Sequence, residues 1–328
     1  MMCEVFSMKD VVTIGEILID LTYSGRDKGV PVYTANPGGA PANVAVAAAR
    51  LGADAAFIGK VGRDYYGDFL RTTLTENGVD ITGMLVDNNA PTTLAVVSLS
   101  ETGERSFSFY RRNCADTLLC SEEISTELLG NTHFLHFGSV SLTDDPARTA
   151  TLFAAQKAKE LGAVVTYDPN YRANLWNSEE EAVERMKSVL GFVDILKISD
   201  EELPLLTGTD DPIEGTRQLS DTYGISLILL TLGPDGAFYR RGEETGKAEG
   251  FKVKVADTNG AGDTFFGSFL SRMAALGIYR PEQLSSEQLY ESVRTANLAA
   301  SLTTSRHGAM PAMPDLRELE DKLRAEVK

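Results

Sequence analysis

The sequence predicts an α/β fold of three layers, α/β/α, built on a mainly parallel sheet with a small β-sheet lid. Strand-length apolar runs alternate with helical stretches over most of the 328 residues, and parallel neighbours need such crossovers. One segment, Thr92 to Tyr110, breaks the alternation with two strand signals in succession. No internal repeat or low-complexity linker divides the chain, so a single domain over residues 1–328 is expected.

The elements follow in order. Val11-Val12-Thr13-Ile14-Gly15 opens as a buried strand. A helix is expected over 42–51, with Pro41 near its first turn and Gly52 past its end. A strand over 55–58 precedes a helix over 65–76 closed by Asn77-Gly78. Further strands are expected over 133–138, 163–167, 194–198 and 227–232, separated by helices over 147–161, 179–190 and 212–223. Strands over 92–99 and 105–110 flank Ser100-Glu101-Thr102-Gly103-Glu104, a hairpin signal. Residues 18–33 also read as extended. The segments near 18–36 and 92–113 together make the expected lid; a plain surface hairpin is the other reading of the second one.

Composition narrows the function. Hydrophobic residues are 43% and charged residues 24%, as in ordinary globular proteins. The net charge of −16 comes from 31 basic and 47 acidic residues, and it repels nucleic acid and anionic membrane. An anionic ligand therefore needs a local positive site. Cys3, Cys114 and Cys120 form no C-x-x-C pair, which argues against a zinc site or disulfide framework and fits a reducing cytoplasm. The start, MMCEVFSMKD, lacks a basic region followed by an apolar one, so no secretory signal is expected.

The chemistry concentrates in DTNGAGDTFFGSFL, residues 257–270. It is neither a P-loop nor a dinucleotide fingerprint, because the lysine and the third glycine are missing. After Asp263, apolar residues recur at Phe265, Phe266, Phe269, Leu270, Met273 and Leu276 with helical spacing. Gly260, Ala261 and Gly262 thus fall at a helix N-terminus, where free N–H groups and the dipole attract an anion. Taken alone, the window also describes a turn followed by an Asp N-cap. In phosphoryl transfer, a carboxylate beside an anion hole has a use: it takes the proton of the acceptor hydroxyl. His133 and His136 do not make a metal pair, since a spacing of three along a strand puts them on opposite faces.

Seven motifs occur in one order along nearly the whole chain: GEILID at 15–20, PGGAPANVAVAAARLG at 37–52, FIGKVGRDYYGDFL at 57–70, DPNYRANLW at 168–176, LKISDEEL at 196–203, LTLGPDGAFY at 230–239 and DTNGAGDTFFGSFL. With them the sequence resembles the ribokinase-like (PfkB) carbohydrate kinases, and most closely their fructokinase branch. The resemblance implies a ribokinase-like sheet with a lid, and ATP, Mg²⁺ and, as an open point, K⁺ as cofactors. It implies that Asp263 is the catalytic base, with Gly260, Ala261 and Gly262 as the anion hole. Glu202, in Ser199-x-x-Glu202, would organise Mg²⁺ through water; a first-turn Glu complementing the helix dipole is the alternative. Asp257 would help hold a monovalent cation, or is a plain turn residue. Thr231, Gly233 and Gly262 would touch the nucleotide phosphates; Lys197 would supply positive charge there, or is a plain surface cation; and Asn297 would lie beside the adenine, or is a polar position on an Ala-rich buried helix.

On the sugar side the same resemblance implies Asp20, whose carboxylate can accept from two hydroxyls, and Gly38 and Gly39, which let backbone approach the ring. Asn43 offers donor and acceptor together; Arg172 and Arg112 add positive charge, and Phe109 to Arg112 would cover the site. Two departures from the pattern stand out: Asn259, where Thr or Ser is common, and RRNCAD at 111–116 near the sugar. The expected reaction is ATP-dependent phosphorylation of a primary hydroxyl of a ketohexose, fructose to fructose 6-phosphate. Alternatives are a 2-keto-3-deoxygluconate-type kinase, using Arg111, Arg112 or Arg172 against a carboxylate, and a non-catalytic sugar or nucleotide sensor. Unpaired lid edges predict a homodimer formed through the lid.

Overall fold

The period-two alternation of the first strand sets the layering. In a computed structural model that describes residues 7–99 and 105–326, β1 (Lys9–Ile14) sends Val11 into one apolar cluster and Val12 into another on the opposite face. The remaining strands are β2 (Leu18–Asp27), β3 (Val30–Gly38), β4 (Ala55–Gly62), β5 (Met84–Asp87), β6 (Leu94–Leu99), β7 (Arg105–Tyr110), β8 (Thr132–Gly138), β9 (Val164–Asp168), β10 (Ile195–Ser199), β11 (Leu227–Thr231), β12 (Ala237–Arg241) and β13 (Glu244–Ala248). The main sheet runs β13-β12-β11-β10-β9-β8-β1-β4-β5. Its strands from β11 to β5 are parallel, and β12 and β13 add an antiparallel edge.

Each face is covered by helices, as crossovers require. On one side Leu135, Phe137 and Tyr167 pack with Ala154 of helix Ala147–Glu160 and Met186 of helix Glu179–Ser188. On the other, Phe134 and Leu229 pack with Phe265, Phe266 and Phe269 of helix Ala261–Ala275 and with Val293 of helix Ser286–Thr304. Helix Ala40–Arg50 begins two residues before the expected start, with Pro41 in its first turn.

That helix and helix Ala261–Ala275 meet through Gly267. A Cβ there would lie 2.6 Å from Ala47 Cβ and 2.8 Å from Val44 O. The missing side chain therefore sets the close approach that places Asn43 beside Asp263. His136 is fully buried, 3.1 Å from Thr166 Oγ1 and edge-on to Phe266, and burial pushes its imidazole down to about 3. His133 instead stacks on Tyr279. The two histidines thus take separate structural places.

The lid is a second sheet, β3-β2-β6-β7. The extended stretch expected over 18–33 is a hairpin: β2 and β3 pair antiparallel around Lys28 and Gly29, both at positive φ (48° and 84°), the twist that two-residue hairpins favour. β2 also pairs parallel with β6, and β6 antiparallel with β7. The expected turn Ser100 to Glu104 lies outside the described residues. The sequence reading did not contain β5, β12 or β13. β5 has only four residues, and β13 reads ETGKA with no apolar run. Such short, polar edge strands carry little hydrophobic pattern.

Candidate functional site

Two cavities meet at the start of helix Ala261–Ala275. The first is lined by Glu16, Leu18, Asp20, Gly39, Ala40, Asn43, Phe109, Asn170, Arg172, Asn259, Gly260 and Asp263, among others. The second, about 670 Å³, is lined by Thr231, Gly233, Phe251, Ala261, Gly262, Asn297 and neighbours, a size typical of small-molecule and cofactor sites. Gly260 and Asp263 face one cavity; Ala261 and Gly262 face the other. The first cavity opens past the ends of β1 and β9 and the second at the end of β11, in keeping with the rule for open α/β sheets.

The loop geometry follows from its residues. Gly260 is the N-cap at φ 73°, a left-handed conformation, and a Cβ there would meet Ala309 Cβ at 2.8 Å. Asp263 lies in the first turn and does not cap its own helix. Its Oδ2 accepts from Asn43 Nδ2 at 2.8 Å and its Oδ1 from Asn170 Nδ2 at 3.0 Å. The Asp-cap alternative is thereby replaced by an oriented, buried carboxylate. Burial raises its pKa, while Asn43, Lys197, Arg172 and Asn170 pull the other way. Ala261 N donates at a long 3.4 Å to Thr258 O, and the next N–H groups of this first turn have no partner inside the helix, so the turn offers donors to an anion.

The sugar-side residues assemble from the lid hairpin. In β2, Asp20 faces Asn36 of β3, and Leu18 faces Gly38. A Cβ on Gly38 would overlap Asp20 Oδ2. Gly39 sits at φ 107°, where a Cβ would come within 2.5 Å of Glu16 O, so only glycine fits this turn. Burial lifts the Asp20 carboxyl to about 6, against the pull of Arg172. Arg172 is exposed at the rim and donates to Tyr171 O at 3.0 Å.

Arg112 is exposed and does not line the cavity. Its neighbour Arg111 is buried, donating from Nε to Asp116 Oδ2 at 2.7 Å and from Nη1 to Thr143 Oγ1 at 2.7 Å. The RRNCAD departure thus supplies an internal ion pair rather than a rim of cations.

Around the second cavity, Thr231 ends β11 and Gly233 follows it. Asn297 donates from Nδ2 to Ala248 O at 2.9 Å and to Glu249 O at 3.2 Å. It both lines the cavity and ties helix Ser286–Thr304 to β13. Lys197 is not on the cavity wall. It is buried behind the loop, with Nζ 2.8 Å from Asp168 Oδ2 but off the hydrogen-bonding direction. A Cβ on Gly262 would lie 2.9 Å from that Nζ. Burial lowers the Lys197 pKa, but Asp168, Glu202 and Asp263 together carry it above its ordinary value.

Glu202 is buried. Its Oε1 accepts from Tyr171 N at 2.8 Å, and its Oε2 from Ser199 N at 2.8 Å and Ser199 Oγ at 3.0 Å. Asp257 accepts from Asn259 N at 2.8 Å and Gly308 N at 3.1 Å. Among the described residues, no group of three or more His, Cys, Asp or Glu is arranged to cage a metal ion. That donor set fits a Mg²⁺ carried on phosphates and waters, which keeps most of its ligands outside the protein.

Glu16, Asn170 and Asn259 line the first cavity without having been singled out as site residues. Glu16 and Asn170 stand inside the quoted motifs GEILID and DPNYRANLW, so the signal was present. What was missing is Asn170's φ of 47°, which turns its amide back onto Asp263.

Sequence and structure comparisons point to one group of proteins. Fructokinase-1 of Zea mays is 42% identical over 313 residues, 94% of this chain and 96% of its own length. A probable fructokinase of Arabidopsis thaliana described as chloroplastic is 42% identical over 95% of this chain and 82% of its own. The crystal structure of a fructokinase with bound ATP from Xylella fastidiosa superposes with a TM-score of 0.89 at 32% identity, covering 98% of this chain and all of that one. A fructokinase from Vibrio cholerae O395 in a form bound to fructose, ADP and calcium gives 0.86 at 36% identity, over 96% and 99% of the two chains. Among the described residues no helix is long and apolar enough to cross a membrane. A loop that shares its residues between two cavities, and a match to the pfkB family carbohydrate kinase model over residues 8–316, assign the chain to that family.

Proposed function

We propose that the protein transfers the γ-phosphate of ATP to a primary hydroxyl of fructose, giving fructose 6-phosphate. The observation that carries this is the shared loop. Asp263 faces the sugar cavity, and Ala261 and Gly262 face the nucleotide cavity. A hydroxyl beside Asp263 would lose its proton to the carboxylate while the first-turn N–H groups hold the moving phosphoryl group. Asp20 and Asn43 orient the sugar, with Gly38 and Gly39 beneath it. Thr231, Gly233, Gly262 and Asn297 bind the nucleotide. Mg²⁺, when bound, neutralises the phosphates, and Glu202 orders its water; K⁺ belongs near Asp257.

The cavity disfavours a sugar acid. Asp20 and Asp263 bring two acidic groups to it, against Arg172 at the rim, and Arg111 is already paired with Asp116. A coupled ADP-release assay over neutral hexoses, pentoses and sugar acids, with Mg²⁺ and with or without K⁺, tests the reading. Fructose is expected to give the highest kcat/KM; absence of turnover with every neutral sugar overturns it.

The protein further forms a homodimer through its lid. The edge strand β3 leaves Val30 and Tyr33 65% and 43% exposed, and such an apolar edge calls for a cover. Light scattering at micromolar concentration is expected to give twice the chain mass, and a Val30→Lys variant the monomer mass; a monomeric wild type removes the dimer. The compartment we favour is the cytoplasm, on the sparse cysteines; imaging of a tagged chain checks it.

A further inference from the structure

Glu16 is a buried carboxyl that the reaction so far leaves unused. It lies between β1 and β2, 3% exposed, and lines the sugar cavity with Asp20, Asn43, Arg172 and Asp263. Its Oε1 accepts the Ala40 N–H at 3.1 Å, at the start of the helix that follows Gly39. Its Oε2 is buried and has no hydrogen-bond partner. A carboxyl held by one oxygen, with the other idle in a ligand cavity, is built to meet something the ligand brings.

We infer that Glu16 is a specificity-determining residue of the sugar site, carrying a proton on Oε2 and donating it to an oxygen of the bound sugar. This rests on the sugar-kinase reading above.

The surroundings argue for the neutral form. Asp20 approaches from β2 and Asp263 from helix Ala261–Ala275, both of them acidic. Arg111 approaches from the end of β7, but Asp116 balances it at 2.7 Å. Arg172, from the loop after β9, is exposed at the rim. A buried ionised oxygen without a donor is strongly disfavoured. Burial accordingly pushes the Glu16 carboxyl up to about 7, with Arg111 opposing and Asp116 adding to the rise.

The chemistry is complementary as well. Asp20, Asp263 and the unpartnered Asn43 Oδ1 all accept hydrogen bonds. A polyol also needs donors for its own oxygens, and a neutral Glu16 supplies one from inside the cavity. The Ala40 bond keeps that donor from swinging away.

The test is the fructose KM from pH 6 to 8.5. In the wild type, KM is expected to rise by about tenfold per pH unit once Glu16 ionises, beyond the change that the Asp20 carboxyl, lifted to about 6, brings to both proteins. Glu16→Gln, whose amide donates at every pH, should match the wild-type KM at pH 6 and lack this tenfold-per-unit rise. A Glu16→Gln profile parallel to the wild type, or a KM raised at pH 6, overturns the inference.

If Glu16→Gln loses its cooperative melt, calorimetry of fructose binding to the wild type in two buffers of different ionisation enthalpy replaces it. Uptake of about one proton per sugar at pH 8 supports the inference; no uptake, or release, sinks it. The two readings fail separately. No turnover of any neutral sugar by the wild type removes the kinase reading and Glu16 with it, whereas fructose turnover with an unaltered Glu16→Gln profile removes Glu16 alone.

Discussion

Asp263→Asn is expected to lower kcat on fructose by about 10²–10⁴ fold while leaving the sugar KM little changed. The side chain is buried, so the isosteric amide keeps its volume, and what changes is the ability to take a proton. The cost to the fold should be small but measurable. Asp263 accepts from Asn43 and from Asn170 through different oxygens. An amide at 263 accepts from only one of them and turns its own donors toward the other, costing about 1 kcal/mol.

The pH profile separates chemistry from packing. A base must be ionised, and burial has raised the Asp263 pKa. Wild-type kcat should therefore fall as pH drops through that raised value, and the small residual rate of Asp263→Asn should lack this acid limb. If Asp263→Asn turns over like the wild type, the base is elsewhere and the assignment fails.

The second large effect concerns stability. Lys197→Met is expected to cost about 3–5 kcal/mol at pH 8, because it strands the buried Asp168 carboxylate beside Glu202. The sign of its pH dependence follows from linkage. Burial already raises the Asp168 pKa above its unfolded value, and loss of Lys197 raises it further. The folded wild type already holds this proton below about 7, so the deficit is level there, grows as pH rises from that value toward the higher one of the variant, and levels off above it. Denaturant melts at pH 5.5 and pH 8 read this directly. Adding Asp168→Asn should return part of the loss at pH 8, since the orphaned charge is gone. An equal deficit at both pH values would show that Lys197 acts through packing of its stem.

These two residues mark different limits of what a sequence conveys. The alternation of apolar strands and helices is local, and it was legible: helix Pro212–Tyr223 and strand β8 stand within a residue of their expected bounds. The turn of Gly260 to Asp263 onto a helix was equally legible, because glycine placement and helical spacing are short-range signals.

Other features were not legible, because distance decides them. Lys197 carried a charge suited to a triphosphate, yet the fold turns it inward against Asp168. Arg111 and Arg112 are chemically alike and adjacent, but in the turn after β7 the first folds inward onto Asp116 and Thr143 while the second stays exposed. The antiparallel strands β12 and β13 were not legible because at five residues each they are too short for a clear period.

What the sequence determined by itself is the layer architecture, the helix-start anion hole and the carboxylate beside it, since each depends on neighbours a few residues apart. The tertiary structure decided the charge state and reach of those groups. Asn43 and Asn170 come from positions 220 and 93 residues away to orient Asp263, and Gly267 sets how closely the first of them approaches. Glu16 after β1, Asp20 of β2 and Asp263 of helix Ala261–Ala275 meet in one cavity although they come from three separate parts of the chain. Desolvation and Coulomb coupling depend on separation in space rather than along the chain, so the chemistry of these carboxyls exists only once the fold has assembled them.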